Sequence, residues 1–181
     1  DVISLHVPYT ATGPHPTRHW FNQARLNRLR PGTLLLNTSR GAVVDNAVLL
    51  GSLQEGRVHA VLDVYEDEPR PAVALLKALD LATAHIAGYS LQGKVRGTVM
   101  VVEQLFRHFG IQRPVPDLLS PLTRILQPHC VDAAGLVKAA YDILDDSARF
   151  RALMYAAPTP EEAGRVFDRY RKDYSARYEW G

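Results

Sequence analysis

The sequence is poor in cysteine: Cys130 stands alone among 181 residues. A single thiol excludes an intrachain disulfide and any metal site built from cysteines, and it points to a reducing, cytoplasmic setting. Long apolar runs are missing as well. No stretch reaches the roughly 18–20 apolar residues needed to cross a bilayer. Residues 1–6 read as a strand, not as a charged segment followed by an apolar one, so no secretory signal and no membrane partner are expected. An excess of one charge is lacking too. Lys and Arg number 21 against 19 Asp and Glu, a net +2. That balance gives no footing for nucleic acid as a partner. No metal site is expected, since Cys130 has only His129 beside it. What is present is ordinary for a folded chain: 46% hydrophobic and 22% charged residues, which excludes an intrinsically disordered protein.

Hydrophobic periodicity organises the first part of the chain. Residues 1–6 form a strand pattern, and 7–18, rich in Pro, Gly and Thr, a loop. Residues 20–30 carry Trp20, Phe21, Ala24, Leu26 and Leu29 at approximately helical spacing, stopped by Pro31-Gly32. The run 33–37 is a compact apolar strand of the kind covered on both faces. Asp45 can cap a helix over 46–55, with Leu49, Leu50 and Leu53 inward and Gly56 at its end. A strand over 58–64, a helix over 72–78, a strand over 81–84 and a helix over about 92–109 follow. Such alternation predicts an α/β domain with a parallel sheet, whose ligands sit at the carboxyl ends of the strands. Those ends carry His6, Thr38 to Arg40, Asp63 and His85. Asp1 runs at once into a strand, so the chain reads as a piece of a longer protein, cut inside a domain.

Composition changes near residue 113. Pro114, Pro116, Pro121 and Pro128 mark a linker or extended connection, and 132–155 and 160–178 read as helices. Thr159-Pro160-Glu161-Glu162 is a helix start: a capping Thr, Pro at the first helical position and acids in the first turn. The charges from Arg165 to Asp173 read as a solvated face, and Phe167, Tyr170, Tyr174 and Tyr178 as a stripe that packs on a partner surface.

Three polar segments stand at successive strand ends. In Asn37-Thr38-Ser39-Arg40-Gly41, the Arg would project a planar donor fork suited to a carboxylate, or pair with a surface acid. The segment from Leu62 to Pro69 packs Asp63, Glu66, Asp67 and Glu68 into six residues, a set that repels itself unless positive groups meet it. In Thr83-Ala84-His85-Ile86-Ala87-Gly88, the His is either a packed core residue or, beside a carboxylate, a general acid/base. Adjacent strands run about 4.8 Å apart, so all three ends can converge on one small molecule.

These segments, "LLNTSRGAVVD", "LDVYEDEP" and "TAHIAGYS", resemble the successive signatures of the D-isomer-specific 2-hydroxyacid dehydrogenases. "RGAVVDN", "HIAGYSLQGKVRGT" and "YDILDD…FDRYRKDYSARYEW" resemble a branch of that family acting on a phosphorylated 2-hydroxy acid; the likeness is weakest at 111–135. The resemblance implies that Arg40 grips the substrate carboxylate, that His85 is the general acid/base and that Glu68 pairs with it. Glu66 and Asp67 are close competitors, and only the Glu-Pro alignment selects Glu68. It places Asp63 opposite the nicotinamide amide, and Val7, Thr38, Ser39, Arg40 and Gly88 along an NAD cofactor. Tyr89 would touch substrate; Lys94 and Arg96 are either phosphate ligands or helix-face cations.

The family binds the NAD pyrophosphate on a Gly-X-Gly-X-X-Gly turn. None of the 12 glycines forms a Gly-X-Gly pair, so that turn is expected upstream of Asp1, and the chain alone is expected to be inactive. The implied architecture is half of a doubly wound, Rossmann-type NAD-binding domain over 1–113, followed by a small helix-rich domain over 114–181, incomplete at its end, that makes a homodimer. The core motifs leave open a relative acting on 3-phosphoglycerate or on glyoxylate/hydroxypyruvate. A non-catalytic NAD-sensing binding protein of the same fold also stays open.

Overall fold

The computed structural model describes residues 1–122, 135, 141–175, 177 and 178. The expectations on Pro128, His129, Cys130, Trp180 and Gly181, and the helix over 132–134 and 136–140, lie outside the described residues. The chain divides into two compact units: residues 1–86 with 144–173, and residues 87–143 with 174–181.

The first unit is built on four parallel strands: β1 (Val2–Leu5), β2 (Thr33–Asn37), β3 (Val58–Leu62) and β4 (Leu81–Ala82), side by side in that order. Leu5 pairs with Asn37, and Asn37 with Leu62, so the strands end nearly level. Helices α1 (Gln23–Leu26), α2 (Asn46–Gln54) and α3 (Val73–Ala78) connect them. Asp45 caps α2 by accepting the Val48 N–H. Leu49 is fully buried, and Leu50 and Leu53 pack partly buried against the same core as Leu35, Ala60, Leu62 and Leu76. The apolar run of β2 alternates buried and half-buried positions, as a strand covered on both faces should.

Several boundaries differ from the sequence reading. The helix expected over 20–30 shrinks to α1 because Phe21 is tied to the loop at 43–45: its N–H donates to Val43 O and its O accepts from Asp45 N–H. Asn22 then caps the short helix, its side chain accepting from Arg25 N–H. The strands expected over 58–64 and 81–84 end at Leu62 and Ala82, yet hydrogen bonds run on from Thr83 N–H to Leu62 O and from His85 N–H to Asp63 O.

Helices α5 (Ile143–Ala156) and α6 (Pro160–Lys172) complete this core. Phe150 and Phe167 are fully buried with ring centroids 5.7 Å apart, and both pack against the Tyr65 ring. The partner surface expected for Phe167 is thus the chain's own sheet unit. Ser147 Oγ accepts the Ala82 N–H of strand β4, and an Arg151 Nη2–H donates to Leu79 O. The first bond satisfies a backbone donor that the edge strand leaves open, and the second satisfies a carbonyl at the end of α3. Thr159 caps α6 through the Glu162 N–H, with Pro160 in its first turn.

In the second unit, α4 (Leu91–His108) starts at Ser90, whose hydroxyl accepts from Gly93 N–H. Arg177 lies alongside: its N–H donates to Tyr89 O and its O accepts from Leu91 N–H. That pairing uses extended backbone at Arg177, and α6 stops at Lys172 and not at 178 as its sequence pattern predicts. Residues 112–119 form no helix or strand, and one turn of 3-10 helix follows at Ser120–Leu122. Among the described residues no helix is long and apolar enough to cross a membrane.

Candidate active site

The level strand ends bring polar residues to one margin of the sheet unit. Asn37, the last residue of β2, is fully buried and stitches the next turn. Its Oδ1 accepts from the Ser39 N–H (3.1 Å) and Ser39 Oγ–H (2.7 Å), and its Nδ2 donates to Arg40 O (2.9 Å). Ser39 is thereby buried and Thr38 and Arg40 are exposed. One Arg40 Nη1–H donates to Ser39 O at 2.7 Å, and no carboxylate among the described residues pairs with the guanidinium. The rest of the planar fork is left facing solvent, which suits an incoming carboxylate.

The acidic loop finds partners for most of its charges. Glu68 Oε1 accepts from the Tyr65 N–H (2.8 Å), while Oε2 stands 2.8 Å from His85 Nδ1. A carboxylate only accepts, so Nδ1 carries the proton of that bond and Nε2 is left for a ligand. The His85 side chain is 30% exposed and the Glu68 side chain 22%. Asp63 is buried; its Oδ1 accepts from Thr83 Oγ1–H (2.6 Å) and Ile86 N–H (2.8 Å), gripping the chain on both sides of His85. Glu66, a competitor for the His85 partnership by sequence, bonds His19 instead.

Tyr65 supports the loop from below. Its hydroxyl donates toward Leu62 O and Thr83 O, 3.1 and 2.9 Å away. Burial, reinforced by the Asp63 and Glu68 carboxylates, pushes this phenol well above its ordinary range.

Of the sequence-predicted residues, Glu68 and His85 are in direct contact, and Asp63 braces them. Arg40 joins them through Gly41, whose Cα rests on the Tyr65–Glu66 peptide. Val7 is half-buried against the core two residues beyond β1. Gly88 and Tyr89 belong to the second unit, where Gly88 is exposed. There the Tyr89 ring meets Tyr174 edge-on, and Lys94 Nζ lies 3.9 Å from its centroid. Arg96 is exposed on α4. Sequence reasoning missed two residues. Tyr65 was legible only as part of the loop motif, and His19 sits in a Pro- and Thr-rich loop with no periodicity to flag it. His15 and His19 lie four apart in sequence, but among the described residues no group of three or more His, Cys, Asp or Glu is placed to hold a metal.

Val7 and Thr38 offer an apolar contact and a hydroxyl at two neighbouring strand ends, and the buried Asp63 stands at the third. That set fits the flat, amide-bearing ring of a nicotinamide at the place where parallel sheets take ligands.

Comparison with known proteins finds a family likeness. Residues 1–87 match the family model "D-isomer specific 2-hydroxyacid dehydrogenase, NAD binding domain". The chain is 44% identical over 188 residues to erythronate-4-phosphate dehydrogenase of Pseudomonas putida, covering 99% of this chain and 49% of the relative. It thus spans about half the length of the curated relatives it matches. Among solved structures it is similar to the glyoxylate/hydroxypyruvate reductase of Sinorhizobium meliloti in complex with NADP and malonate. That match has 32% identity and TM-score 0.53, over 64% of this chain and 35% of that one. It is also similar to D-mandelate dehydrogenase of Rhodotorula graminis, at 28% identity and TM-score 0.54 over 59% and 30% of the two chains. Residues 1–87 are therefore similar to the NAD-binding domains of the D-isomer-specific 2-hydroxyacid dehydrogenases, and the chain resembles erythronate-4-phosphate dehydrogenase along nearly its whole length.

Proposed function

We propose that the full-length protein containing this chain oxidises the C2 hydroxyl of 4-phospho-D-erythronate to the 2-oxo acid, a step of pyridoxal 5'-phosphate biosynthesis. The observation that carries the reading is the His85 Nδ1–Glu68 Oε2 hydrogen bond of 2.8 Å beside the unpaired Arg40 guanidinium. In this reading Arg40 holds the substrate carboxylate in its donor fork and so fixes the orientation of C2. His85 Nε2 takes the hydroxyl proton as the C2–H bond breaks and the carbonyl forms. Glu68 holds the ring in the tautomer with Nε2 free, and its negative charge favours the imidazolium that results. NAD, when bound, supplies the hydride acceptor. Val7, Thr38, Ser39, Asp63 and Gly88 would line it, and Tyr89 would contact substrate.

The same reading keeps 1–113 as the NAD-binding segment and has 114–181, of which 144–173 pack into the sheet unit, make a homodimer in the cytoplasm. Leu144 and Tyr155, exposed about three turns apart on one side of α5, support a self-associating surface. Sedimentation of the chain tests that part: a strict monomer at all concentrations sinks it. The activity is tested by following NADH formation by the full-length protein with 4-phospho-D-erythronate, 3-phosphoglycerate and other 2-hydroxy acids. Preference for 4-phospho-D-erythronate is expected. A better rate with another acid moves the protein to a sister activity, and no turnover with any of them favours an NAD-sensing role.

A further inference from the structure

We propose that His19 is a positioning residue for the Glu68–His85 pair, acting through Glu66; this rests on the reading of that pair as the acid–base of the reaction. Among the described residues only two that are not glycine adopt positive φ, His19 at 46° and His85 at 56°. The left-handed region is unfavourable for L-residues, and such conformations persist only where surrounding contacts enforce them. Both histidines hold a glutamate of one loop. His85 bonds Glu68, and His19 Nε2 lies 2.5 Å from Glu66 Oε1.

His19 is held where three segments meet. Its N–H donates to Ala42 O at 2.7 Å, in the turn just after Arg40 and Gly41. Its Nδ1 lies 3.5 Å from Asp45 Oδ2, the carboxylate that caps α2. Glu66 is fastened to the same helix start: its N–H donates to Asn46 Oδ1 (3.1 Å) and its Oε2 accepts from Asn46 N–H (3.4 Å). The residue before it, Tyr65, donates its N–H to Glu68 Oε1. A shift of Glu66 passes through the Tyr65 Cα to the Val64–Tyr65 peptide, whose N–H makes one of the two bonds that aim Glu68.

Charge gives a second reason. Glu66 and Glu68 are like charges two residues apart, and the one facing His85 must be Glu68. An imidazole on Glu66 keeps that carboxylate engaged and away from His85. His19 makes no hydrogen bond or ion pair with Arg40, Glu68 or His85, so its part is positioning and not chemistry.

Amide hydrogen exchange on this chain reads the effect without turnover. In His19→Ala, the Tyr65 amide should exchange about tenfold faster, the scale of one charge-assisted hydrogen bond. The Asp63 amide, bonded to Asn37 O, should keep its rate. His19→Gln keeps an N–H within reach of Glu66 and should restore most of the protection. Tyr65 exchanging at its original rate in His19→Ala overturns the proposal. So does a uniform acceleration that includes Asp63, since that marks a general loss of stability. In the full-length enzyme, His19→Ala should lower kcat while leaving KM for NAD in place; an unchanged kcat also overturns it. Failure of the underlying reading is separable, because it shows as retained turnover in His85→Asn.

Discussion

Gly41 lies so close to Tyr65 that a Cβ built on it would stand 1.9 Å from both the carbonyl carbon and the carbonyl oxygen of Tyr65, and 2.4 Å from the Glu66 nitrogen. Backbone, not a movable side chain, fills the space. The turn carrying Arg40 and the loop carrying Glu68 are therefore in register only if residue 41 has no side chain. Gly41→Ala must push the two loops apart. It should cost about 3 kcal/mol, the upper range for overpacking a tight interior. Urea unfolding of the chain measures this, and a midpoint equal to that of the parent chain would contradict it.

Arg40 holds its place through one bond to Ser39 O and leaves the rest of its fork outward. Lys cannot grip a carboxylate with two parallel bonds. Arg40→Lys in the full-length enzyme should cut kcat/KM for the 2-hydroxy acid by about 10²-fold, equivalent to one or two charge-assisted hydrogen bonds. KM for NAD should hold. Equal losses for substrate and cofactor would point to a collapsed turn and not to a lost grip.

His85 and Glu68 should separate in a mutant series. His85→Asn removes the proton acceptor and should lower kcat by about 10³-fold, within the range of general acid–base catalysis. Glu68→Gln keeps a hydrogen-bonding side chain but loses the charge, so a smaller loss, about tenfold to a hundredfold, is expected. Steady-state kinetics on both variants decides, and a Glu68→Gln enzyme slower than His85→Asn would reverse the assigned roles.

Tyr65 couples the loop to alkaline pH. Burial, with Asp63 and Glu68 adding to it, raises its phenol well above the unfolded value near 10. Above about pH 10 the unfolded chain loses this proton and the folded chain keeps it, so the folded state binds more protons and stability falls as pH rises. Below that pH the contribution is fully present. Thermal unfolding followed from pH 8 upward should show the decline beginning near about pH 10. Tyr65→Phe should reduce the slope there, and an unaltered slope would exclude Tyr65 as its source.

Phe167 lies on the helix that the sequence marks as amphipathic, yet it is fully buried against Phe150 and Tyr65. Phe167→Ala should cost about 3–5 kcal/mol, as for other large buried aromatics. Calorimetry reads this directly. A near-neutral effect would mean that α6 does not dock on the sheet unit in solution.

The sequence by itself determined the parts that depend on local rules. An apolar run long enough for one strand gave β2 its bounds, Asp45 marked the start of α2, and Thr159-Pro160 marked that of α6. The alternation of the two periods is enough to require a parallel sheet, so the polar strand ends were legible as one site. Only the tertiary structure decided which acid meets which base. Glu66, Asp67 and Glu68 are nearly equivalent along the chain; what separates them is that His85 approaches from β4 and His19 from the loop after β1. The closeness of Gly41 to Tyr65 and the burial of Phe167 in its own chain are of the same kind. Helices and strands follow from spacing between near neighbours, which the sequence displays. Pairing of side chains 17 or 47 residues apart follows from how the elements stack, and no local pattern encodes it.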